Sequence, residues 1–155
     1  MKTTFATTAL ALVGATFAAP ATRDAKPFPY SVDDIALYHL KESNTWDLTI
    51  SVTERDAAGN ALSSTLCHSA WNNGSTYVAR EICEDTHYFF WLPNGAPDPE
   101  HWTVIVDGPE GQGEGDIDFG NKYKCGRYEG EIGNIDTECK TTNGGWFYLH
   151  ERDSS

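Results

Sequence analysis

Hydrophobic and polar residues alternate along several short segments of the chain, and this alternation predicts β-strands. In residues 46–52 every second position is Trp, Leu, Ile or Val, and residues 101–107 repeat the alternation with Trp, Val and Val. A period of two places the apolar side chains on one face of a strand and the polar ones on the other. Residues 88–92 and 145–150 are apolar or aromatic at consecutive positions, as expected for strands that are covered on both faces.

The rest of the chain follows the same rules. Further strands are predicted at residues 31–40, 62–71, 116–124 and 132–139. Turn-forming residues separate the strands at 57–60, at 72–74 and at the glycine-rich 108–115, which we expect to be a long loop. No window has a sustained helical period. About eight short strands at this spacing predict an all-β fold, a single compact β-barrel or sandwich.

The N-terminus has the features of a cleavable signal peptide. Lys2 supplies a positive charge, residues 9–15 are apolar, and the small residues Ala18 and Ala19 precede Pro20. The apolar run is too short to span a bilayer, which needs about 20 such residues. We therefore predict a secreted, extracellular protein with a signal peptide at 1–18, a flexible tail at 19–29, one domain at 30–152 and a short tail at 153–155.

The composition is acidic. Asp and Glu number 23 against 11 Lys and Arg, which gives a formal net charge of −12. Such a surface repels phosphate backbones and anionic lipid headgroups, so we expect neither nucleic-acid binding nor attachment to a membrane through a basic patch. The excess charge is typical of a protein that stays soluble outside the cell.

The four cysteines lie at positions 67, 83, 125 and 139. An even number of cysteines behind a secretory leader predicts a disulfide framework rather than metal ligands or a reactive thiol. A bridge that closes a loop of about 15 residues stabilises the fold by ~3 kcal/mol in the chain-entropy model. The sequence alone leaves about three possible pairings open.

Residues 107–118 combine five carboxylates with several glycines. Clustered oxygens on a bendable backbone suit Ca²⁺. The spacing differs from that of an EF-hand, and the alternative is an exposed, flexible connection whose charges serve solubility. We predict no metal and no cofactor.

Paired carboxylates can also carry out glycoside hydrolysis. The candidates are Glu54, Glu84, Asp85, Glu129 and Glu131. Among 23 acidic residues some pair falls at a suitable separation by chance, so hydrolysis is the less favoured hypothesis. The sequence has no nucleophile elbow, no phosphate-binding loop and no Cys–His pair with a free thiol, and we predict no catalytic residues.

Three other residue types are candidates for sites. Asn73 begins the only N-glycosylation sequon, in a segment that favours a turn. The sequence has five histidines: His39, His68, His87, His101 and His150. They lack the short spacing of a zinc motif, although His68 and His87 flank the first cysteine pair. The sequence has five tryptophans: Trp46, Trp71, Trp91, Trp102 and Trp146. We expect them in the core, although one or two could instead line a groove for a sugar or a planar molecule.

The order of these features resembles a known family. A Trp-x-Leu-x-Ile-x-Val strand at 46–52 leads through a polar turn to TLCHSAW at 65–71, ICED at 82–85 and YFFW at 88–91. A glycine-rich segment, a second cysteine pair and a closing aromatic strand follow. From about residue 30 to residue 152 the chain resembles the Alt a 1 (AA1-like) family of small secreted fungal proteins, which includes allergens and plant-colonisation effectors.

This resemblance implies a compact β-barrel with the bridges Cys67–Cys83 and Cys125–Cys139. It also implies an effector-, elicitor- or allergen-like protein that binds a host extracellular protein or wall component and is not an enzyme. Some family members carry an extra cysteine that links two protomers, but no cysteine precedes Cys67 here, so we expect a monomer or a weak non-covalent dimer. The alternative is a secreted carbohydrate-active or wall-polysaccharide-binding β-sandwich protein.

Overall fold

The structure, a computed structural model, describes residues 28–75, 78–96, 98–142 and 144–152. The predicted signal peptide, residues 19–27 of the predicted tail and residues 153–155 lie outside these ranges. Within the ranges the chain forms eleven strands, no helix and two disulfide bridges. The prediction of an all-β fold is therefore confirmed.

The strands form two antiparallel sheets. The six-stranded sheet contains β1 (Tyr30–Leu40), β2 (Thr45–Arg55), β3 (Ala61–Asn72), β8 (Tyr123–Arg127), β9 (Ile135–Thr141) and β10 (Trp146–Tyr148). The five-stranded sheet contains β4 (Val78–Ile82), β5 (Phe89–Leu92), β6 (His101–Gly108), β7 (Gly111–Asp118) and β11 (His150–Glu151). Their orders are β3-β2-β1-β9-β8, with β10 beside the first half of β1, and β11-β7-β6-β5-β4. The two sheets form a sandwich rather than the closed barrel that the resemblance implied.

The inner faces of both sheets make up the core. The two segments with strict alternation bury the predicted positions: the apolar side chains of 46–52 and of 102–106 are at most 7% exposed. Burial of each such aliphatic side chain contributes roughly 1.5–3 kcal/mol. Tyr30 ties the sheets together, because its ring is fully buried and its hydroxyl accepts a hydrogen bond from Glu110 N at 2.8 Å. Burial raises the pKa of Tyr30 to about 12.

The predicted long loop at 108–115 is wrong, because this segment belongs to a β-hairpin. Gly108 pairs with Gly111 across a tight turn, and β7 runs beside β6 for its whole length. Gly113 lies on the inner face, where a Cβ atom would come within 2.2 Å of the Phe28 ring and 2.9 Å of Leu149 Cβ. Gly113 and Gly115 therefore make room for close packing, while Gly111, with a φ of 113°, forms the turn.

Two other predicted segments are divided in the structure. Residues 116–124 contain the end of β7, a turn and the start of β8, so the predicted single strand is wrong. Residues 145–150 contribute β10 to one sheet and the start of β11 to the other. Between them Leu149 is buried, and its N–H donates to Tyr30 O at 3.1 Å, so the chain changes sheets at this residue.

Candidate binding surfaces

The disulfides pair as the resemblance implied, Cys67 with Cys83 and Cys125 with Cys139. The first bridge joins the edge strand β3 of one sheet to the residue that follows the edge strand β4 of the other. The second joins β8 and β9, which are neighbours in the same sheet. Two disulfides are typical of a protein that functions in an oxidising, extracellular compartment.

The first bridge brings Leu66 and Ile82 together at the surface. Each residue directly precedes a bridged cysteine, and its side chain lies on the outer side of its strand, 45% and 52% exposed respectively. Together with His68 and Glu84 they line a depression of about 380 Å³, which we call the Leu66–Ile82 groove. A hydrogen bond of 2.8 Å from Glu84 N to Leu66 O fixes the two edges of the groove relative to each other.

Strand β3, which borders this groove, is an uncharged edge. None of its twelve residues is Asp, Glu, Lys or Arg, and it pairs only with β2 among the described strands. Edge strands usually carry charges that prevent pairing with other chains. The backbone of Leu66 faces away from β2, and the backbone of every second residue along β3 does the same. This edge suits pairing with an extended segment of another molecule.

The acidic groups of residues 107–118 do not gather into a calcium site. On the outer face of the hairpin, Asp107 pairs with Arg80 and Glu114 pairs with Arg152. Asp116 accepts a hydrogen bond of 2.7 Å from a threonine hydroxyl on the neighbouring strand. Three of the five carboxylates therefore have separate partners along the hairpin.

The five carboxylates considered for glycoside hydrolysis occupy several places. Glu54 lines a second depression, of about 360 Å³, beside the β2–β3 turn, whereas Glu84 lines the Leu66–Ile82 groove. Glu129 and Glu131 lie in the connection between β8 and β9. The backbone N–H of His87 lowers the pKa of Asp85, and a general acid for this reaction needs a raised one. Glu54 shares its depression with Asp56 and Glu110, whereas Glu84 is the one carboxylate among the described residues that line its groove. Hydrolysis stays a hypothesis.

Four of the five histidines lie beside an aspartate. The pairs are His39–Asp136, His68–Asp47, His87–Asp85 and His101–Asp98, with N–O distances of 2.7 to 3.2 Å. Sequence spacing identifies the last two pairs, which lie within a turn, but not the first two, which depend on strand register. His68 and His87, which flank the first cysteine pair in sequence, thus have different carboxylate partners.

One cluster was not anticipated from the sequence. Asp98, Glu100 and His101 place their possible metal-ligand atoms within 4.8 Å of one another. Asp98 already accepts bonds from Glu100 N at 2.9 Å and from His101 Nδ1 at 3.0 Å, and this second bond is the main cause of the raised pKa of His101. Both carboxylate oxygens of Asp98 are therefore used to hold the turn before β6.

Asn73 lies where the sequence placed it, exposed in the turn after β3. Its side-chain oxygen accepts a hydrogen bond from Trp46 Nε1 at 3.1 Å, and its Nδ2 donates to Asn44 Oδ1 at 3.2 Å. The amide thus links the β1–β2 turn with the end of β3. Glycosylation of Asn73 stays a prediction.

Three tryptophans lie in the core as predicted, and two do not. Trp46, Trp71 and Trp102 are at most 8% exposed. On the outer faces, the guanidinium of Arg55 lies 3.5 Å from the centre of the Trp146 ring, and that of Arg80 lies 5.7 Å from the centre of the Trp91 ring. Cation–π contacts of this kind favour half-buried rings, and sequence periodicity does not predict them.

Comparison with known proteins identified no relative. No family model matched the chain, and searches of curated proteins and of solved structures gave no match. Among the described residues no helix has the length and apolar character needed to cross a membrane. The resemblance to the Alt a 1 family stays a prediction.

Proposed function

We propose that this protein is a secreted, non-enzymatic binding protein that captures a host extracellular protein through the Leu66–Ile82 groove. This extends the expectation of an effector- or elicitor-like protein to a defined surface. One observation carries the proposal: the Cys67–Cys83 bridge fixes two exposed aliphatic side chains next to each other on a protein with a net charge of −12.

The chemistry of the groove defines its partner. Leu66 and Ile82 offer apolar contact. The Leu66 carbonyl already accepts the Glu84 N–H, but the rest of the uncharged edge of β3 offers backbone donors and acceptors to an extended segment. Glu84 lines the groove and Asp85 follows it, so the rim is acidic. The expected partner presents an apolar, extended segment that is flanked by Lys or Arg.

The lining of the groove supports a proposal of binding rather than of bond cleavage. Its one carboxylate, Glu84, has no second acidic residue beside it among the lining residues, whereas hydrolysis of a glycoside needs two. Its cysteines are both in a disulfide and cannot act as nucleophiles. This surface therefore contributes shape and apolar contact to the binding of a partner.

The test is a salt-resistant capture experiment with plant extracellular fluid. The secreted protein carries a photo-crosslinking residue in place of Leu66, and bound proteins are identified after irradiation. The groove variant combines Leu66→Asp with Ile82→Asp. The control is Ile132→Asp, because Ile132 is 58% exposed but lies in the β8–β9 connection, away from the groove.

We expect one saturable protein to crosslink at position 66 and to be lost with the groove variant but not with the control. Equal capture by the groove variant and the parent would refute the proposal. Retention by wall polysaccharide alone, with no protein crosslinked at position 66, would favour the alternative of a polysaccharide-binding protein.

A further inference from the structure

Half of the positive charges of the described residues lie on one hairpin. Four of these eight Lys and Arg side chains are on β8, on β9 or directly before β8: Lys122, Lys124, Arg127 and Lys140. The hairpin and its connection also carry four carboxylates, but only one of them lines the depression that three of the cations share. Such a local excess of cations on an acidic protein indicates a surface for an anionic ligand.

The Cys125–Cys139 bridge forces two of these cations together. Lys124 and Lys140 are directly opposite each other across the β8–β9 pair, one residue away from the bridged cysteines, and both are exposed. Like charges at directly opposite positions destabilise a sheet. The neighbouring disulfide fixes the register and holds the pair in place in spite of this repulsion.

These lysines line an open depression. Lys124, Arg127 and Lys140 surround a volume of about 240 Å³, in which Glu138 is the one carboxylate among the lining residues. Glu138 contacts Lys140 at 2.8 Å, and the salt bridges of the described residues include neither Lys124 nor Arg127. We call this surface the lysine depression.

Gly126 leaves the floor of the lysine depression uncovered. It is opposite Glu138 in the register, and no atom lies within 4 Å of the place that its Cβ would occupy. Since β8 is the edge of its sheet, the depression is open both outward and sideways. A chain-like ligand therefore has room to lie along it.

Aromatic rings continue the same face. Tyr38 is opposite Glu138 on the neighbouring strand β1, and its ring lies 6.1 Å from that of Tyr128 in an edge-to-face arrangement. A sugar ring can pack its apolar side against such rings, while Lys and Arg bind its carboxylate. The combination of cations and aromatic rings suits an acidic sugar polymer better than a simple inorganic anion.

We propose that the lysine depression binds an acidic polysaccharide made of uronic acids, with successive carboxylates bound by Lys124, Lys140 and Arg127. The surrounding acidic surface disfavours nucleic acids, whose charge density is far higher. The polymer would hold the secreted protein in a polyanionic wall matrix. This role is independent of the Leu66–Ile82 groove, which lies at the other edge of the six-stranded sheet.

The test is titration calorimetry with a size-defined oligomer of galacturonic acid. The variant K124E/K140E reverses both charges. A second variant, Gly126→Glu, adds a carboxylate to the floor where the structure has open space, and so removes no native contact. The matched control is Lys41→Glu, because Lys41 is exposed at the β1–β2 turn, outside the depression.

We expect both depression variants to lose about tenfold or more in affinity, since a hydrogen bond to a charged group contributes on this order. The Lys41→Glu control should stay within about twofold of the parent, because Lys41 does not line the depression and the effect of an exposed charge outside it is weakened by salt. The methyl-esterified oligomer, which lacks the charges, should not bind. Leu66→Asp should leave binding of the oligomer unchanged, which separates this result from a failure of the groove proposal.

Three outcomes would overturn the inference. The parent protein fails to bind the oligomer at low salt, the ester binds as well as the acid, or Lys41→Glu reduces affinity as much as K124E/K140E. The last outcome would show attraction by overall charge without a local site. Circular dichroism of each variant establishes that it is folded before its affinity is compared.

Discussion

The two disulfides close loops of almost the same length, 16 and 14 residues apart in sequence, yet they do different things. Cys67–Cys83 connects the edges of two sheets, while Cys125–Cys139 connects two hydrogen-bonded neighbours. In both cases the residues next to the cysteines are exposed and adjacent. The first bridge presents Leu66 and Ile82, and the second presents Lys124 and Lys140. The same covalent device therefore supports an apolar surface in one region and a cationic one in the other.

Removal of the first bridge should have the largest effect. The double variant C67S/C83S should lower the free energy of unfolding by about 3 kcal/mol or more. Besides the chain-entropy contribution, the variant loses the covalent link between the sheet edges. Glu84 N to Leu66 O and Asp85 N to Thr65 Oγ1 are hydrogen bonds that remain there. Urea denaturation measures the change. A loss below about 1 kcal/mol would show that the sandwich does not depend on this connection.

Removal of the second bridge should lower the free energy of unfolding by less, and its effect should stay local. The variant C125S/C139S should lose about 2–3 kcal/mol, because five register pairs still hold β8 to β9. We expect amide exchange to accelerate in β8 and to change little in the five-stranded sheet. If exchange accelerates throughout the molecule, the distinction between a connecting bridge and a local one is wrong.

Relief of the lysine repulsion should stabilise the second region slightly. Lys124→Thr removes one of two opposed charges and introduces a residue that favours strands, so we expect a gain of roughly 0.2–1 kcal/mol. The matched change Leu66→Thr, on the other edge strand, removes no repulsion and should give no gain. Thermal unfolding of both variants measures the difference. A destabilised Lys124→Thr would mean that Lys124 makes a favourable contact.

The stability of the regions around the two bridges should depend on pH at opposite ends of the pH scale. Asp85, two residues after Cys83, has a pKa lowered from 3.8, first of all by the backbone N–H of His87. Its contribution to stability is present above that value and is lost as the pH falls through the lowered pKa. Lys140 has a pKa raised from 10.5, mainly by its hydrogen bond to Glu138. Its contribution is present below 10.5 and is lost as the pH rises through the raised pKa.

Nuclear magnetic resonance titration of the Asp85 carboxyl and of the Lys140 side chain measures both shifts. The variant His87→Pro removes the backbone donor together with the imidazole, which also bonds Asp85, and should raise the pKa of Asp85 toward 3.8. Glu138→Gln should lower the pKa of Lys140 toward 10.5. An unchanged Asp85 pKa in the first variant would show that the turn hydrogen bond does not form in solution. Among the four predictions, the effects of these exposed groups on stability should be the smallest.

Most of the fold can be predicted from the sequence, because burial of one face of a strand requires apolar residues at every second position. Residues 46–52 and 101–107 show this directly. The prediction failed at 108–115, where glycine suggested flexibility although Gly113 serves close packing against Phe28. A glycine required by a neighbouring ring and a glycine required by a turn look the same in one sequence.

The candidate surfaces are much harder to predict from the sequence. That Leu66 lies beside Ile82, and Lys124 beside Lys140, depends on which cysteines pair, and the residue pattern alone left several pairings open. Once the bridges are known, the residues preceding or following each cysteine become neighbours, as strand geometry requires. The arginine stacking on Trp91 and Trp146 has no equivalent signal, since it depends on how strands lie side by side.

The packing of Phe28 against Gly113 has a consequence for protein engineering. At the far end of the described chain, Arg152 N donates to Gln112 O at 3.0 Å, so the two ends of the described chain lie against neighbouring residues of β7. Neighbouring ends of this kind permit circular permutation with a short linker. New termini opened in the Asn73–Gly74 turn would then lie at the end of β3, outside the residues that line the Leu66–Ile82 groove and the lysine depression, while the original ends are joined.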